Sequence, residues 1–294
     1  MPEAADAVEV TAGVLRAWPL PEPGSDKESR GRVLVVGGST QTAGAVLLSG
    51  EAALRVGGGK LQLATARGVA GPLSIAVPES LVLMLPESDE GHIDPSSADT
   101  VVEVAARTSA VLLGPGLPEP EGAVALLERV VPRLTSPLVL DALATAYVTE
   151  NPDGLRHLGG RCVLTPNRRE LALMLHRDEE DLTDLLGATR DAAERTGAVV
   201  LCGDTATFVA QPGGESWITR TGGPGLAISG SGDVQAGIVA GLLGRGAEPA
   251  QAAVWGGYLH GRAGEQLAVD VGPLGYLARE LPGRLPALLG ELTG

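Results

Sequence analysis

The stretch TGGPGLAISGSGDVQAGIVAGLLGRG, residues 221–246, decides the fold. Five glycines and a proline precede a single acid, Asp233, and the run of small apolar residues after it predicts a helix from about Val234. The first N–H groups of a helix have no partner within it and carry partial positive charge. Because glycines leave these groups accessible, the stretch predicts a helix start that binds an anion beside a carboxylate.

A helix start of this kind suits phosphoryl transfer. Its N–H groups stabilise the negative charge of a migrating phosphoryl group, and a carboxylate beside them can take the proton of the attacking hydroxyl. In this interpretation Asp233 is the base, and Gly230, Ser231 and Gly232 form the anion hole. Aspartate is also a favoured helix N-cap and glycine-rich loops are often plain turns, so these four residues alone leave a structural role equally open.

The composition argues against several classes of protein. The 294 residues are 44% hydrophobic, which is enough for a large core, and only 2% aromatic, so the core is predicted to consist of Ala, Val, Leu and Ile. A net charge of −14 argues against binding to nucleic acid or to an anionic membrane. A local cluster of backbone N–H groups still binds phosphate whatever the net charge.

Cysteine use and the N-terminus bear on the cellular compartment. Cys162 and Cys202 have neither metal-ligand spacing nor the pattern of a disulfide framework. The first residues, MPEAADAVEV, lack the basic and apolar regions of a signal peptide, and no run of 18 apolar residues occurs. We therefore expect a cytoplasmic protein.

Short apolar runs alternate with helical patterns along most of the chain. This alternation predicts an α/β fold with a mainly parallel central sheet and helices on both faces. Residues 1–294 are expected to form one domain, with the first ~25 residues as a surface extension before the first strand. Strands are predicted for 32–38, 60–65, 110–116, 137–142, 161–167 and 198–203, a hairpin for 206–210 and 216–220, and a helix for 43–59.

Residues typical of ligand-binding loops follow five of the predicted strands. In a parallel sheet the ligand crevice lies at the carboxyl ends of the strands, so these residues are expected to meet along one edge. Folding alone does not require so many of them, and this edge is the predicted binding site. The residues are Gly37-Gly38-Ser39, Gly114-Pro115-Gly116, Asp141, Thr165-Pro166-Asn167 and Gly203-Asp204.

Several motifs resemble one family. SGSGDVQAGIVAGLLGRG with AAVWGGYLHGRAGE is similar to the C-terminal signature of the ribokinase-like fold, a three-layer α/β/α architecture. GRVLVVGGSTQTAGAVLLSGEAALRVGGGKLQLAT resembles the N-terminal signature of the ATP/ADP-dependent NAD(P)H-hydrate dehydratase family, and LLGPGL, LVLDA, LTPNRRE and GYLARELP occur in that family's order. The resemblance extends from Lys27 to Leu289, and its N-terminal part is the more specific.

The resemblance implies an enzyme that repairs hydrated NAD(P)H. The family uses ATP or ADP, with Mg²⁺ expected at the nucleotide phosphates, and returns NAD(P)H, phosphate and ADP or AMP. The fold implies that Asp233 helps the ring hydroxyl to attack the terminal phosphoryl group, and that the phosphorylated ring then eliminates phosphate. Two alternatives remain: a sugar or vitamin kinase of the same fold, and a nucleotide-binding relative with weak catalysis.

The resemblance also implies an assembly and a set of site residues. Relatives are often tetramers, and a separate NAD(P)H-hydrate epimerase is an expected pathway partner, because the chain lacks the ~200 further residues that such a domain needs. The residues expected to bind the hydrated dinucleotide are Gly44, Ala45, Gly116, Asp141, Asn167 and Asp233. Those expected to bind the adenine nucleotide are Gly203, Asp204, Thr205, Ala206, Thr207 and Gly232.

The sequence departs from the family pattern at three positions. Cys202 stands where relatives have a lysine in an LKG triplet, Asn167 replaces a histidine, and Leu143 replaces an acid or a glycine. Asn167 can still donate and accept hydrogen bonds but cannot become a cation. The adjacent Arg168 and Arg169 are expected to be exposed arginines at a helix start rather than phosphate ligands.

His260 lies in an apolar, helix-like pattern. A histidine in such a setting is expected to be packed and hydrogen-bonded rather than catalytic.

Overall fold

The computed structural model describes residues 7–22 and 24–293, and these form a ten-stranded sheet with helices on both faces. The strands are β1 Val8–Glu9, β2 Arg32–Val36, β3 Lys60–Ala66, β4 Ser80–Leu85, β5 Ala110–Leu113, β6 Leu138–Asp141, β7 Cys162–Thr165, β8 Val199–Gly203, β9 Thr207–Ala210 and β10 Ser216–Thr219. Their order in the sheet is β1-β10-β9-β8-β7-β6-β5-β2-β3-β4. Neighbouring strands are parallel except that β9 is antiparallel to both β8 and β10.

The predicted fold class is confirmed. The six predicted strands are β2, β3, β5, β6, β7 and β8, and the predicted hairpin is β9–β10. The helix predicted for 43–59 ends earlier, at Arg55. The strand β4, which lies at one edge of the sheet, is not among the predicted strands.

Eleven helices cover the two faces of the sheet in the described residues. They are α1 Ala12–Ala17, α2 Ala43–Arg55, α3 Arg67–Ala76, α4 Ala98–Ala105, α5 Pro120–Val130, α6 Ala146–Glu150, α7 Arg168–Met174, α8 Leu185–Thr196, α9 Ser231–Gly244, α10 Pro249–Asp270 and α11 Leu285–Thr293. Alternating residues of β2 show the layering: Val33 and Val35 belong to one apolar core, and Leu34 and Val36 to the other. Aliphatic residues dominate both cores, as the composition predicts.

Glycines on α9 let it pack closely on α2. A Cβ at Gly237 would lie 2.2 Å from the carbonyl oxygen of Ser49, and one at Gly241 would lie 2.7 Å from that of Ala53. Larger side chains would push the helices apart. The small residues of α9 therefore allow it to lie directly against α2, the helix that contains Gly44 and Ala45.

The N-terminal segment contributes to the sheet and the core. Val8 and Glu9 pair in parallel with Trp217 and Ile218 of β10. Leu15 is fully buried, and Trp18 stacks on Trp217 with ring centroids 5.7 Å apart. These residues therefore pair and pack with the rest of the fold, whereas residues 1–6 and 23, which the predicted surface extension also includes, lie outside the described part of the chain.

The described ranges 7–22 and 24–293 contain no candidate for a membrane-spanning helix. None of their helices combines the length and the apolar character that crossing a bilayer requires.

Candidate active site

The predicted binding residues lie along one edge of the sheet. Strands β8, β7, β6, β5 and β2 are consecutive neighbours and run parallel, so their carboxyl ends meet at this edge. In the same order, the residues at or just after these ends are Gly203, Asn167, Asp141, Gly116 and Gly37. The fold thus brings together strand ends that are far apart in the sequence.

The first turn of α9 reaches the same edge. The helix packs against β2, β5, β6 and β7, and the negative charge of Asp233 acts on Asp141 at the end of β6. Gly230 precedes α9 with φ +90°, and a Cβ there would lie 2.5 Å from Leu48 Cδ1 on α2. Gly230 therefore makes the turn that directs the start of α9 beside α2.

The N–H groups at the tip of α9 are only partly used within the protein. Ser231 donates its N–H to the Ile228 carbonyl at 3.2 Å, and its hydroxyl is hydrogen-bonded to His260. The N–H groups of Gly230, Gly232 and Asp233 have no acceptor among the residues that the structure describes. A Cβ on Gly232 would meet nothing within 4 Å, so space for a ligand adjoins these free donors.

His260 fastens the start of α9 to α10. Its Nε2 lies 2.9 Å from Ser231 Oγ, and its Nδ1 lies 3.4 Å from Gln235 Nε2. Burial lowers the pKa of His260 to about 4, so the ring is neutral at physiological pH. The prediction that His260 is packed and hydrogen-bonded is confirmed.

Three carboxylates share the site. Burial, and then the negative charge of Glu170, raise the pKa of Asp233 to about 6. Burial also raises the pKa of Glu170. For Asp141, burial and then the charge of Asp233 raise the pKa well above its usual range. A carboxylate with a pKa just below neutrality is ionised at pH 7 and still binds a proton readily, which suits a general base.

A hydrogen bond from Thr165, on the neighbouring strand β7, holds the side chain of Asp141. It is 5% exposed, and Thr165 donates its hydroxyl to Asp141 Oδ1 at 2.7 Å. Its side chain makes no capping hydrogen bond to the turn that follows β6. The next residue, Ala142, adopts φ +50°, which is unusual for a residue other than glycine.

The small residues expected to bind the dinucleotide lie close together. Gly116 has φ +67°, and a Cβ there would lie 2.5 Å from the Thr42 carbonyl and 3.0 Å from Ala45 Cβ. Thr42 also donates its hydroxyl to the Gly116 carbonyl at 2.5 Å. Gly44 is exposed, with open space at its Cβ position. The loop after β5 and the start of α2 are therefore in direct contact.

The predicted nucleotide loop is the tight turn between β8 and β9. Asp204 donates its N–H to the Ala206 carbonyl at 2.9 Å, which closes the turn. Asp204 and Thr205 are exposed, whereas the side chains of Ala206 and Thr207 are buried. Of these residues, only Gly203, Asp204 and Thr205 are accessible at the surface, and no hydrogen bond joins this turn to the tip of α9 among the described residues.

Asn167 lies directly beside the predicted nucleotide loop and caps α7. A parallel bridge pairs Asn167 with Gly203. The Asn167 side-chain oxygen accepts the N–H of Glu170, and the Glu170 carboxylate accepts the N–H of Asn167, both at 2.9 Å. This capping box uses the Asn167 oxygen, and hydrogen bonds from the backbone and side chain of Asn167 partly offset the effect of burial on the pKa of Glu170.

Two residues are not as the sequence suggested. Glu170 is not among the residues expected at the site, although the Asn-x-x-Glu spacing that it shares with Asn167 is a helix-start signal. Arg168 is not a freely exposed arginine, since it is half-buried and pairs with Asp204, whereas Arg169 is exposed as expected.

Solved structures define the class of the protein. A ribokinase-like superfamily protein from Enterococcus faecalis superposes with a TM-score of 0.84, covering 98% of this chain and 97% of its own, at 24% identity. The ADP/ATP-dependent NAD(P)H-hydrate dehydratase from Bacillus subtilis, co-crystallized with ATP/Mg²⁺, has a TM-score of 0.81 over 98% of this chain and 99% of its own, at 26% identity. The protein therefore has the ribokinase-like fold.

Sequence comparison narrows this class to one family. The family model described as NAD(P)H-hydrate dehydratase matches residues 33–286. The ADP-dependent (S)-NAD(P)H-hydrate dehydratase of Xanthomonas campestris is 44% identical over 287 residues, which is 96% of each chain. The chain belongs to the NAD(P)H-hydrate dehydratase family. It spans about half of the bifunctional NAD(P)H-hydrate repair enzyme Nnr from Moorella thermoacetica, with 37% identity over 93% of this chain and 52% of that protein.

Proposed function

We propose that the protein converts hydrated NAD(P)H back to NAD(P)H, using ADP as co-substrate and releasing AMP and phosphate. The observation that carries the proposal is the tip of α9, where the carboxylate of Asp233 lies beside the free N–H of Gly232 and open space. Family membership and the 44% identical ADP-dependent relative support the same activity.

The reaction proceeds in two steps. Asp233 accepts the proton of the ring hydroxyl while the hydroxyl oxygen attacks the terminal phosphorus of ADP, and the bond from that phosphorus to the AMP oxygen breaks. The N–H groups at the tip of α9 stabilise the negative charge on the transferring phosphoryl group. In the second step the ring nitrogen donates its electron pair, the carbon–oxygen bond breaks, phosphate leaves and the neighbouring ring carbon loses a proton.

Small residues and one amide receive the hydrated ring. Gly44, Ala45 and Gly116 form a surface with little side-chain volume, which allows a flat ring to approach the backbone. The exposed amide of Asn167 can donate a hydrogen bond to a carbonyl of the substrate. Asp141 lies near Asp233, because the negative charge of Asp233 adds to the larger effect of burial in raising the pKa of Asp141.

Mg²⁺ fits the oxygen ligands of the site. Within the described residues no set of three His, Cys, Asp or Glu side chains is arranged to hold a metal ion alone. Mg²⁺ is commonly held by one or two carboxylates together with substrate phosphates and water. Glu170 and Asp141 are the carboxylates available beside Asp233. When bound, the ion neutralises charge on the nucleotide phosphates.

The activity is tested by incubating the protein with hydrated NADH, Mg²⁺ and either ADP or ATP while NADH absorbance is followed. Recovery that requires the nucleotide, and is faster with ADP, supports the proposal. Phosphate transfer to a sugar or vitamin alcohol without recovery of NADH would instead identify a kinase. Nucleotide binding with neither reaction would identify a binding protein.

We further propose a cytoplasmic homotetramer that works alongside a separate epimerase. Large apolar side chains exposed on α3 and β4 support self-association: Ile75 is 82% and Met84 is 68% exposed. Cys162 and Cys202 are buried and free, which suits a reducing compartment. Light scattering after size-exclusion chromatography tests the assembly, and a mass of one chain would contradict it.

A further inference from the structure

Arg168 connects three segments at the nucleotide side of the site. Its Nη1 lies 3.0 Å from Asp204 Oδ2, in the turn between β8 and β9. Its Nη2 donates to the carbonyl of Leu182 at 2.7 Å and approaches that of Glu179 at 3.5 Å. The guanidinium thus joins the start of α7, the turn at Asp204 and the segment around Leu182.

The two turns that Arg168 joins are the ones assigned to the two substrates. Asn167, assigned to the hydrated dinucleotide, pairs with Gly203 through a backbone bridge. The residues that directly follow Asn167 and Gly203 are Arg168 and Asp204, and these two form the ion pair. Backbone and side-chain contacts therefore connect the same two turns at consecutive positions.

Arg168 also offsets the negative charge of Asp204, in a region where the phosphates of a nucleotide are expected to bind. The turn at Asp204 contributes a carboxylate, and the adjacent segment Asp178–Asp181 contains four more acids. Arg168 is the cation that pairs with Asp204 in the described residues. With side chains 34% and 37% exposed, both partners are ordered by their contacts but remain at the surface.

We propose that Arg168 is a positioning residue, which holds the turn Gly203–Thr207 through Asp204 in the conformation that binds the adenine nucleotide. This inference rests on the proposed function, because it takes that turn as the nucleotide site. Without the pair the turn samples more conformations, and nucleotide binding has to select the competent one. Arg168 acts on binding and touches no reacting atom.

The test is a double-mutant cycle on ADP affinity. Arg168→Ala and Asp204→Ala are each expected to raise the dissociation constant for Mg²⁺·ADP about three- to fivefold, the range for a partly exposed ion pair. The double variant is expected to bind as weakly as either single variant, since both changes remove the same interaction. Isothermal titration calorimetry measures all four proteins.

Turnover separates positioning from a general loss of structure. At saturating ADP, kcat of Arg168→Ala is expected to stay within about twofold of the wild type while KM for ADP rises, because only binding is affected. Arg169→Ala is the matched control: it removes an adjacent, exposed arginine of the same charge. It is expected to leave ADP affinity unchanged.

Three results would overturn the proposal: unchanged affinity in Asp204→Ala, effects of the two single variants that multiply in the double variant, or the same loss in Arg169→Ala. A wild-type protein that binds ADP but shows no difference among variants rejects only the role of Arg168. A wild-type protein that neither binds ADP nor restores NADH rejects the proposed function itself.

Discussion

The carboxylate of Glu170, on the first turn of α7, lies close enough to Asp233, on the first turn of α9, that its negative charge adds to the effect of burial on the pKa of Asp233. The resulting pKa of about 6 keeps Asp233 ionised at pH 7 and ready to accept a proton. Two helix starts on different parts of the chain therefore set the chemistry of one side chain.

Asp233→Asn is predicted to abolish turnover while keeping nucleotide binding. The amide is the same size but cannot accept the proton of the ring hydroxyl, so kcat should fall by about 10² to 10⁴. The measurement is the recovery of NADH absorbance, with ADP affinity from calorimetry as the control for folding. Turnover at the wild-type rate would remove Asp233 as the base.

The pH dependence of kcat/KM is predicted to show a rising limb with an apparent pKa of about 6, because Asp233 is active only when ionised. Glu170→Gln removes the nearby negative charge, so the limb should move to lower pH. It should stay above the usual range of an aspartate, since burial is the larger cause. A limb at the same pH in both proteins would contradict the coupling.

Asp233→Asn is also predicted to stabilise the fold at pH 7. The raised pKa means that the folded protein prefers protonated Asp233, so its contribution is present below pH 3.8 and is lost as the pH rises through about 6. The variant should gain about 1 kcal/mol at pH 7, a figure reduced for partial exposure. Thermal unfolding at pH 4.5 and 7.5 measures this, with the exposed Asp89→Asn as control. An equal gain at both pH values would contradict the prediction.

Two glycine substitutions are predicted to affect different properties: Gly232→Ala weakens ADP binding, and Gly116→Ala lowers the stability of the fold. Gly232→Ala places a methyl group in open space, so the fold should be retained while the dissociation constant for ADP rises about tenfold, because phosphate can no longer approach the N–H groups. Gly116 has φ +67°, and a Cβ there would lie 2.5 Å from the Thr42 carbonyl oxygen. Gly116→Ala should therefore lower stability by about 1–3 kcal/mol. Calorimetry and thermal unfolding test both. Normal ADP binding by Gly232→Ala would contradict the anion site.

Much of the fold could be predicted because its signals are local. The runs that form β2, β5, β6, β7 and β8 are short and apolar, and a loop motif follows each of them. The two-residue strand β1 is too short for such a pattern, and its partner β10 is far away in the sequence. The strand β4 is a short apolar run, which periodicity alone does not distinguish from a helix.

The residues at the tip of α9 could be selected from sequence, but their neighbours could not. The effect of Glu170 on Asp233 exists only after β7 and α9 are brought to the same edge of the sheet. The same holds for Arg168, because a pattern of charges does not reveal that its partner is Asp204, which follows the neighbouring strand β8. Long-range electrostatic contacts depend on topology, and local patterns do not contain it.

Oxygen-18 placed in the ring hydroxyl of hydrated NADH tests the central claim most directly. If the hydroxyl attacks the terminal phosphoryl group at the tip of α9, the carbon–oxygen bond breaks only after that oxygen is bound to phosphorus. Mass spectrometry of the released phosphate should then find one labelled oxygen for each NADH restored by the wild-type protein. Unlabelled phosphate, with the label in water, would contradict phosphorylation of the ring hydroxyl.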